Sequence, residues 1–229
     1  MTQITHWING ALDTHTPQRS GEVFNPATGK VTKTVAFADA ATVDRAVNVA
    51  TEAFTTWRHS SLTKRTQVLF AFRELVQQNK EKIAALITDE HGKVLSDAAG
   101  EVTRGLEVVE FACGIPHLLK GGFSEEVSSG VDVYSIRQAL GPVAIISPFN
   151  FPAMVPNWTI PNAIALGNCM VLKPSEKVPL CSGKLAELLK EAGLPDGVFN
   201  VINGDKEAVD TLLTHPDVQA VSFVGSTPI

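Results

Sequence analysis

Lys173 and Glu176 stand three residues apart just after an apolar run, 169–172, and so bring a cation and a carboxylate to one place. Donor and acceptor together can grip a pair of neighbouring hydroxyls, as at the carboxyl edge of a nucleotide-binding sheet. A solvated surface ion pair is the alternative that these two residues leave open. Asn150 lies in Pro148-Phe149-Asn150-Phe151-Pro152, where prolines on both sides restrict the backbone. Its amide is a neutral N–H donor that needs no protonation, which suits it to a negatively charged oxygen in a transition state. A purely structural turn is the other reading. Gly225-Ser226-Thr227 follows a further apolar run, and a glycine there lets backbone N–H groups approach a pyrophosphate. That triad is weak by itself, since many strands end in Gly-Ser, and the fingerprint G-x-G-x-x-G is absent from the chain.

These residues need elements that carry them to one place. Four short apolar runs, 143–146, 169–172, 198–202 and 220–224, each end in a polar or glycine-rich break, and helical patterns fill the gaps between them. The pattern predicts parallel strands of one sheet with helices on both faces, an α/β fold of Rossmann type, with all four breaks along the ligand-binding edge. The clearest helix spans 179–192, with Leu185, Leu188, Leu189 and Ala192 inward and Gly193-Leu194-Pro195 as its stop. Upstream, strand-like pieces at 6–8, 22–24 and 31–37 between turn clusters suggest a small antiparallel layer. From Asp39, a plausible cap, the period becomes helical and four helices follow, the last running from about Ser96 to Cys113. Residues 121–140 differ in character: 131–137 alternates like a strand exposed on one face, and with no partner in the βα repeat it reads as an arm that pairs elsewhere. The expected organisation is therefore 1–120 as the first part of a nucleotide-binding domain, 121–140 as an oligomerisation arm, and 141–229 as the parallel α/β part.

The bulk numbers exclude several classes. A formal charge of −5 over 229 residues, with no stripe of Lys or Arg, argues against nucleic acid as a partner. Three cysteines make no motif and read as buried, reduced thiols; six histidines show no ligand spacing, so no metal site is expected. The first twenty residues lack an apolar signal core, and the apolar stretch 151–172 is broken by Pro152, Pro156 and Pro161. No membrane span is expected, and cytoplasmic location is the default.

Pro-Phe-Asn-Phe-Pro (148–152), Lys-Pro-Ser-Glu (173–176) and Phe-Val-Gly-Ser-Thr (223–227), in this order and spacing, resemble the aldehyde dehydrogenase superfamily. Asn25-Pro26-Ala27-Thr28-Gly29-Lys30, Ala53-Phe54 with Trp57-Arg58, and Glu90-His91-Gly92-Lys93 extend the resemblance over essentially the whole chain. Phe149, where most relatives have Trp, together with Gly100-Glu101-Val102-Thr103-Arg104-Gly105 and Met154-Val155-Pro156, resembles the methylmalonate-semialdehyde dehydrogenases. Those enzymes use NAD and coenzyme A to turn methylmalonate or malonate semialdehyde into an acyl-CoA with loss of carbon dioxide.

The resemblance implies that Lys173 and Glu176 hold the adenosine ribose and that Gly225 and Ser226 meet the pyrophosphate. Ser147 and Phe149 would line the cofactor groove, and Lys177 would flank it where relatives often carry Arg. Asn150 would be the side-chain donor of an oxyanion hole, and Arg104 would face the carboxylate of the semialdehyde, unless it is simply a solvated helix residue. The family's nucleophile is a cysteine thiolate in a separate catalytic domain, and none of Cys113, Cys169 and Cys181 fits that role. The chain therefore reads as the N-terminal portion of a homo-oligomeric, CoA-acylating dehydrogenase, inactive alone because the nucleophile is missing. Two other readings stay open: a non-catalytic nucleotide-binding or assembly module, and a fragment of a non-acylating aldehyde dehydrogenase.

Overall fold

The computed structural model describes residues 2–227; Met1, and the Pro228 and Ile229 that close the 141–229 stretch, lie outside the described residues. The chain opens with β1 (Thr2–Ile4), β2 (Trp7–Ile8), β3 (Ala11–Leu12), β4 (Arg19–Asn25) and β5 (Lys30–Phe37). Four helices follow: α1 (Ala40–Trp57), α2 (Leu62–Gln78), α3 (Lys80–His91) and α4 (Leu95–Cys113). Asp39 caps α1, its carboxylate accepting from the Thr42 N–H at 2.9 Å. Gly92 closes α3 in the left-handed conformation at φ 84°. After the hairpin β6 (Phe123–Ser128) and β7 (Val131–Tyr134) come β8 (Pro142–Ile146), α5 (Met154–Leu166), β9 (Cys169–Lys173), α6 (Leu180–Glu191), β10 (Phe199–Val201), α7 (Lys206–Thr214) and β11 (Ala220–Phe223).

The four expected strands form as expected, parallel and adjacent in the order β11-β8-β9-β10. Every residue of β8, β9 and β10 is buried, because helices cover both faces of the sheet and leave no polar side to the strands. In one layer α1 contacts β8, β9 and β10 and is joined by α7, whereas α5 and α6 meet the sheet in a layer backed by α2, α3 and α4. One continuous apolar core, from Ile8 and Val43 through Phe72, Val102 and Ile164 to Leu212, runs through these layers. No helix among the described residues is long and apolar enough to cross a membrane.

Two local expectations differ from the structure. The piece at 6–8 leaves the small N-terminal layer: β2 pairs antiparallel with β10 and, through a tight turn at Asn9-Gly10 with both residues at positive φ, with β3, adding two strands to the central sheet. Polar groups hold it there, since Asn200 Oδ1 accepts from the Asn9 N–H at 3.0 Å and His6 Nδ1 from the Asn203 N–H at 3.1 Å. The layer that remains is β1-β5-β4, in which β1 runs parallel to β5 rather than antiparallel. The arm is a two-stranded hairpin exposed along its length, and its second strand stops at Tyr134 instead of Arg137. Its first strand escapes pattern reading because Glu125, Glu126 and the serines break the alternation, and the Glu126 N–H donates to Asp132 Oδ1 in place of a ladder bond.

Candidate functional site

The loops after β8, β9 and β11 converge on a crevice of about 500 Å³. Ser147, Phe149 and Asn150 come from the first loop, Lys173 from the end of β9 with Glu176 and Lys177 from the loop after it, and Gly225 and Ser226 from the third. The volume falls in the range of small-molecule and cofactor sites. These residues meet because parallel strands with right-handed crossovers deliver every carboxyl end to the same edge.

Lys173 is the last residue of a doubly covered strand and is only 6% exposed. Burial pulls its ammonium pKa down, against the opposing pull of Glu176, whose Oε2 lies 3.6 Å from Nζ. A desolvated cation beside a half-exposed carboxylate presents donor and acceptor to the same ligand group. Ser147 adds a hydroxyl whose Oγ is buried and has no hydrogen-bond partner among the described residues, an unmet polar group in the crevice wall. At Gly225 a Cβ would come 2.6 Å from Cζ of the exposed Phe223 ring, which would have to turn aside, whereas glycine leaves the backbone open to the crevice as it stands. A buried donor, an orphaned hydroxyl and an unobstructed backbone fit a hydroxyl-rich, anionic ligand of dinucleotide type.

Phe149 is half exposed and lies against both His91 and Lys177. It stacks on His91, with centroids 5.5 Å apart and planes 20° apart, and Lys177 Nζ lies 5.5 Å from its centroid. Burial and then the nearby Lys93 lower the His91 pKa, against the raising effect of Glu101. The Asn150 side chain is exposed and carries no hydrogen bond among the described residues, while its backbone carbonyl accepts from Lys93 Nζ at 2.6 Å. Arg104 lies outside the crevice wall, on α4. Its Nε sits 3.4 Å from Met154 Sδ and its guanidinium 5.9 Å from the Phe151 ring, on the residue next to Asn150. No acid pairs with Arg104 among the described residues.

His91, Lys93 and Glu101 surround the 147–154 loop, and no spacing marks them as functional; they stand in the sequence only within the resemblance segments 90–93 and 100–105. Glu101 is fully buried, paired to Lys93 at 2.5 Å, and accepts from the N–H groups of Ala153 and Met154 at 2.8 and 3.2 Å. The three thiols are free and sit elsewhere. Burial pushes Cys169 up to about 12 and Cys181 well above its usual value, and it raises Cys113 as well. Among the described residues no group of three His, Cys, Asp or Glu is placed to hold a metal ion.

The aldehyde dehydrogenase family model matches residues 13–229. Malonate-semialdehyde dehydrogenase of Pseudomonas aeruginosa is 52% identical over 229 residues, covering 100% of this chain and 46% of that protein. Its counterpart in Bacillus velezensis is 46% identical over 227 residues, with 99% and 47% coverage. The crystal structure of methylmalonate-semialdehyde dehydrogenase from Oceanimonas doudoroffii superposes with a TM-score of 0.97 at 55% identity, covering 100% of this chain and 46% of that one. A Sinorhizobium meliloti protein solved in complex with NAD gives the same TM-score at 50% identity and the same coverage. The chain spans about half the length of the relatives it matches.

Proposed function

Because the chain belongs to the aldehyde dehydrogenase family, we propose that its crevice is the adenosine and pyrophosphate half of an NAD site. On this reading the 229 residues are the N-terminal, cofactor-binding portion of a CoA-acylating methylmalonate or malonate-semialdehyde dehydrogenase. The observation that carries it is the convergence of Lys173, Glu176, Ser147 and Gly225 on one crevice, with a desolvated cation and an orphaned hydroxyl in its wall. Lys173 and Glu176 bind the ribose hydroxyls, Gly225 and Ser226 approach the pyrophosphate, and Ser147, Phe149 and Lys177 line and flank the groove.

NAD bound there supplies the hydride acceptor for aldehyde oxidation, with coenzyme A receiving the acyl group. Asn150 offers its unengaged amide N–H to the carbonyl oxygen, where negative charge develops as the aldehyde is attacked. Arg104, without an acidic partner among the described residues, takes the semialdehyde carboxylate in a bidentate pair beside Phe151. None of the three thiols serves as nucleophile: burial keeps each protonated at neutral pH, and none borders Asn150. The 229 residues therefore bind cofactor without turning over aldehyde. The full enzyme works as a homo-oligomer joined in part through the 123–134 hairpin, whose apolar side chains are exposed.

Titration of the isotope-labelled chain with NAD, followed by NMR, tests the cofactor assignment. Shifts are expected at residues 147–150, 173–177 and 224–226, with affinity weaker than micromolar because half a groove is less preorganised than a whole one. An unperturbed crevice at millimolar NAD would overturn it.

A further inference from the structure

We propose that Lys93, on the α3–α4 turn, and Glu101, on α4, are positioning residues that set the Asn150 loop by gripping it at two successive points. The inference rests on the functional reading only for the consequence of the grip, not for the grip itself. Lys93 Nζ donates to Asn150 O at 2.6 Å and to Glu101 Oε2 at 2.5 Å, and it stands 3.9 Å from the centroid of the Phe151 ring. The same carboxylate turns its other oxygen to the N–H groups of Ala153 and Met154 at the start of α5. One ion pair thus takes a carbonyl on one side of Phe151 and two N–H groups on the other.

The chemistry of the loop explains why such a grip is needed. Pro148 and Pro152 carry no N–H, and α5 begins without a side-chain cap of its own. Asn150 itself is exposed and lies beyond the last residue of β8, so no sheet bond fixes it. Glu101 does for α5 what an N-cap residue does locally, but from another helix 52 positions away, and its charge matches the positive end of the helix. A charged donor to the Asn150 carbonyl is stronger than a neutral one and is partly shielded from water, the Lys93 side chain being 15% exposed. With the carbonyl held, the peptide plane and the direction in which the Asn150 amide leaves the backbone are held too. Gly92, at φ 84°, is the turn that points Lys93 back over the loop.

The test uses Lys93→Met, which keeps the length of the stem and removes the cation, and the double variant Lys93→Met/Glu101→Gln, which leaves no buried charge stranded. Amide hydrogen exchange at Ala153 and Met154 should become about tenfold faster in the double variant, with protection in β9 and α1 unchanged. The Asn150 carbonyl carbon resonance should move upfield in both variants as its cationic donor is lost, and Lys93→Arg should keep it near the parent position. NAD affinity should fall about tenfold in both Met variants through lost preorganisation. Unchanged exchange and an unmoved Asn150 carbonyl would overturn the proposal, as would loosening spread evenly over the chain, which is what a merely structural pair would give. Local loosening in a chain whose parent binds no NAD would support the clamp and count against the cofactor reading instead.

Discussion

Lys173 reaches the crevice stripped of most of its water, with one carboxylate at 3.6 Å in exchange. A cation in that condition loses little more on meeting a ligand hydroxyl, so its contribution to binding should exceed that of a surface lysine. Lys173→Met should weaken NAD binding about tenfold while the far-ultraviolet spectrum and melting temperature stay close to the parent's; equal affinities by titration would remove Lys173 from the site. The gathering of Asn150, Lys173, Glu176 and Ser226 was legible in the sequence because each follows an apolar run of strand length, and parallel strands leave one edge for all such breaks. Lys93 and Glu101 were not, because they meet the loop across 57 and 52 residues of chain and no period or spacing links a helix–helix turn to a strand's end. The unpartnered Ser147 hydroxyl likewise becomes informative only once its burial is known.

Two helices in this fold are started by a side chain of another: Glu101 of α4 at α5 and Glu90 of α3 at α6. Glu90, on the last turn of α3, accepts from the Leu180 N–H at the start of α6 at 3.0 Å, while its Oε1 has no partner among the described residues. Burial pushes this carboxyl up to about 8, against the lowering effect of the Leu180 N–H and Lys33. An acid with a raised folded pKa binds more protons folded than unfolded, so its stabilising contribution is complete below the usual glutamate range and lost as pH rises through 8. His6 acts in the opposite sense, since burial lowers it to about 4 and stability falls as pH drops below its usual value. Above pH 6.5 Glu90 acts without that opposition. The melting temperature should therefore decline between pH 6.5 and 8, and Glu90→Gln should flatten the decline. A slope unaltered by the substitution would show that Glu90 is not its source. Helix periods and the caps at Asp39 and Gly92 were readable at this scale, whereas the short, polar β6 and the sheet assignment of Trp7–Ile8 were settled by partners distant in sequence.

Across the whole molecule, apolar surface is uneven. Phe123, Val127, Val131, Val133 and Tyr134 of the hairpin are each about half exposed or more, and β11 pairs on one side only among the described residues, with Val221 and Phe223 exposed. Hairpin and edge strand are both surfaces that invite another chain. Light scattering should show mass rising with concentration, and Phe123→Ser with Val133→Ser should reduce the rise; a monomer at every concentration would contradict this. At the other end of the central sheet β2 lies on β10, with Asn9 bound to Asn200 across 191 residues and His6 to Asn203 across 197, and β3 is the outer strand. During synthesis on the ribosome, β2 therefore has only its hairpin partner β3 to pair with until β10 has emerged. The β2–β3 hairpin docks late and acts as a latch, closing only over a translation product that has got as far as its tenth strand.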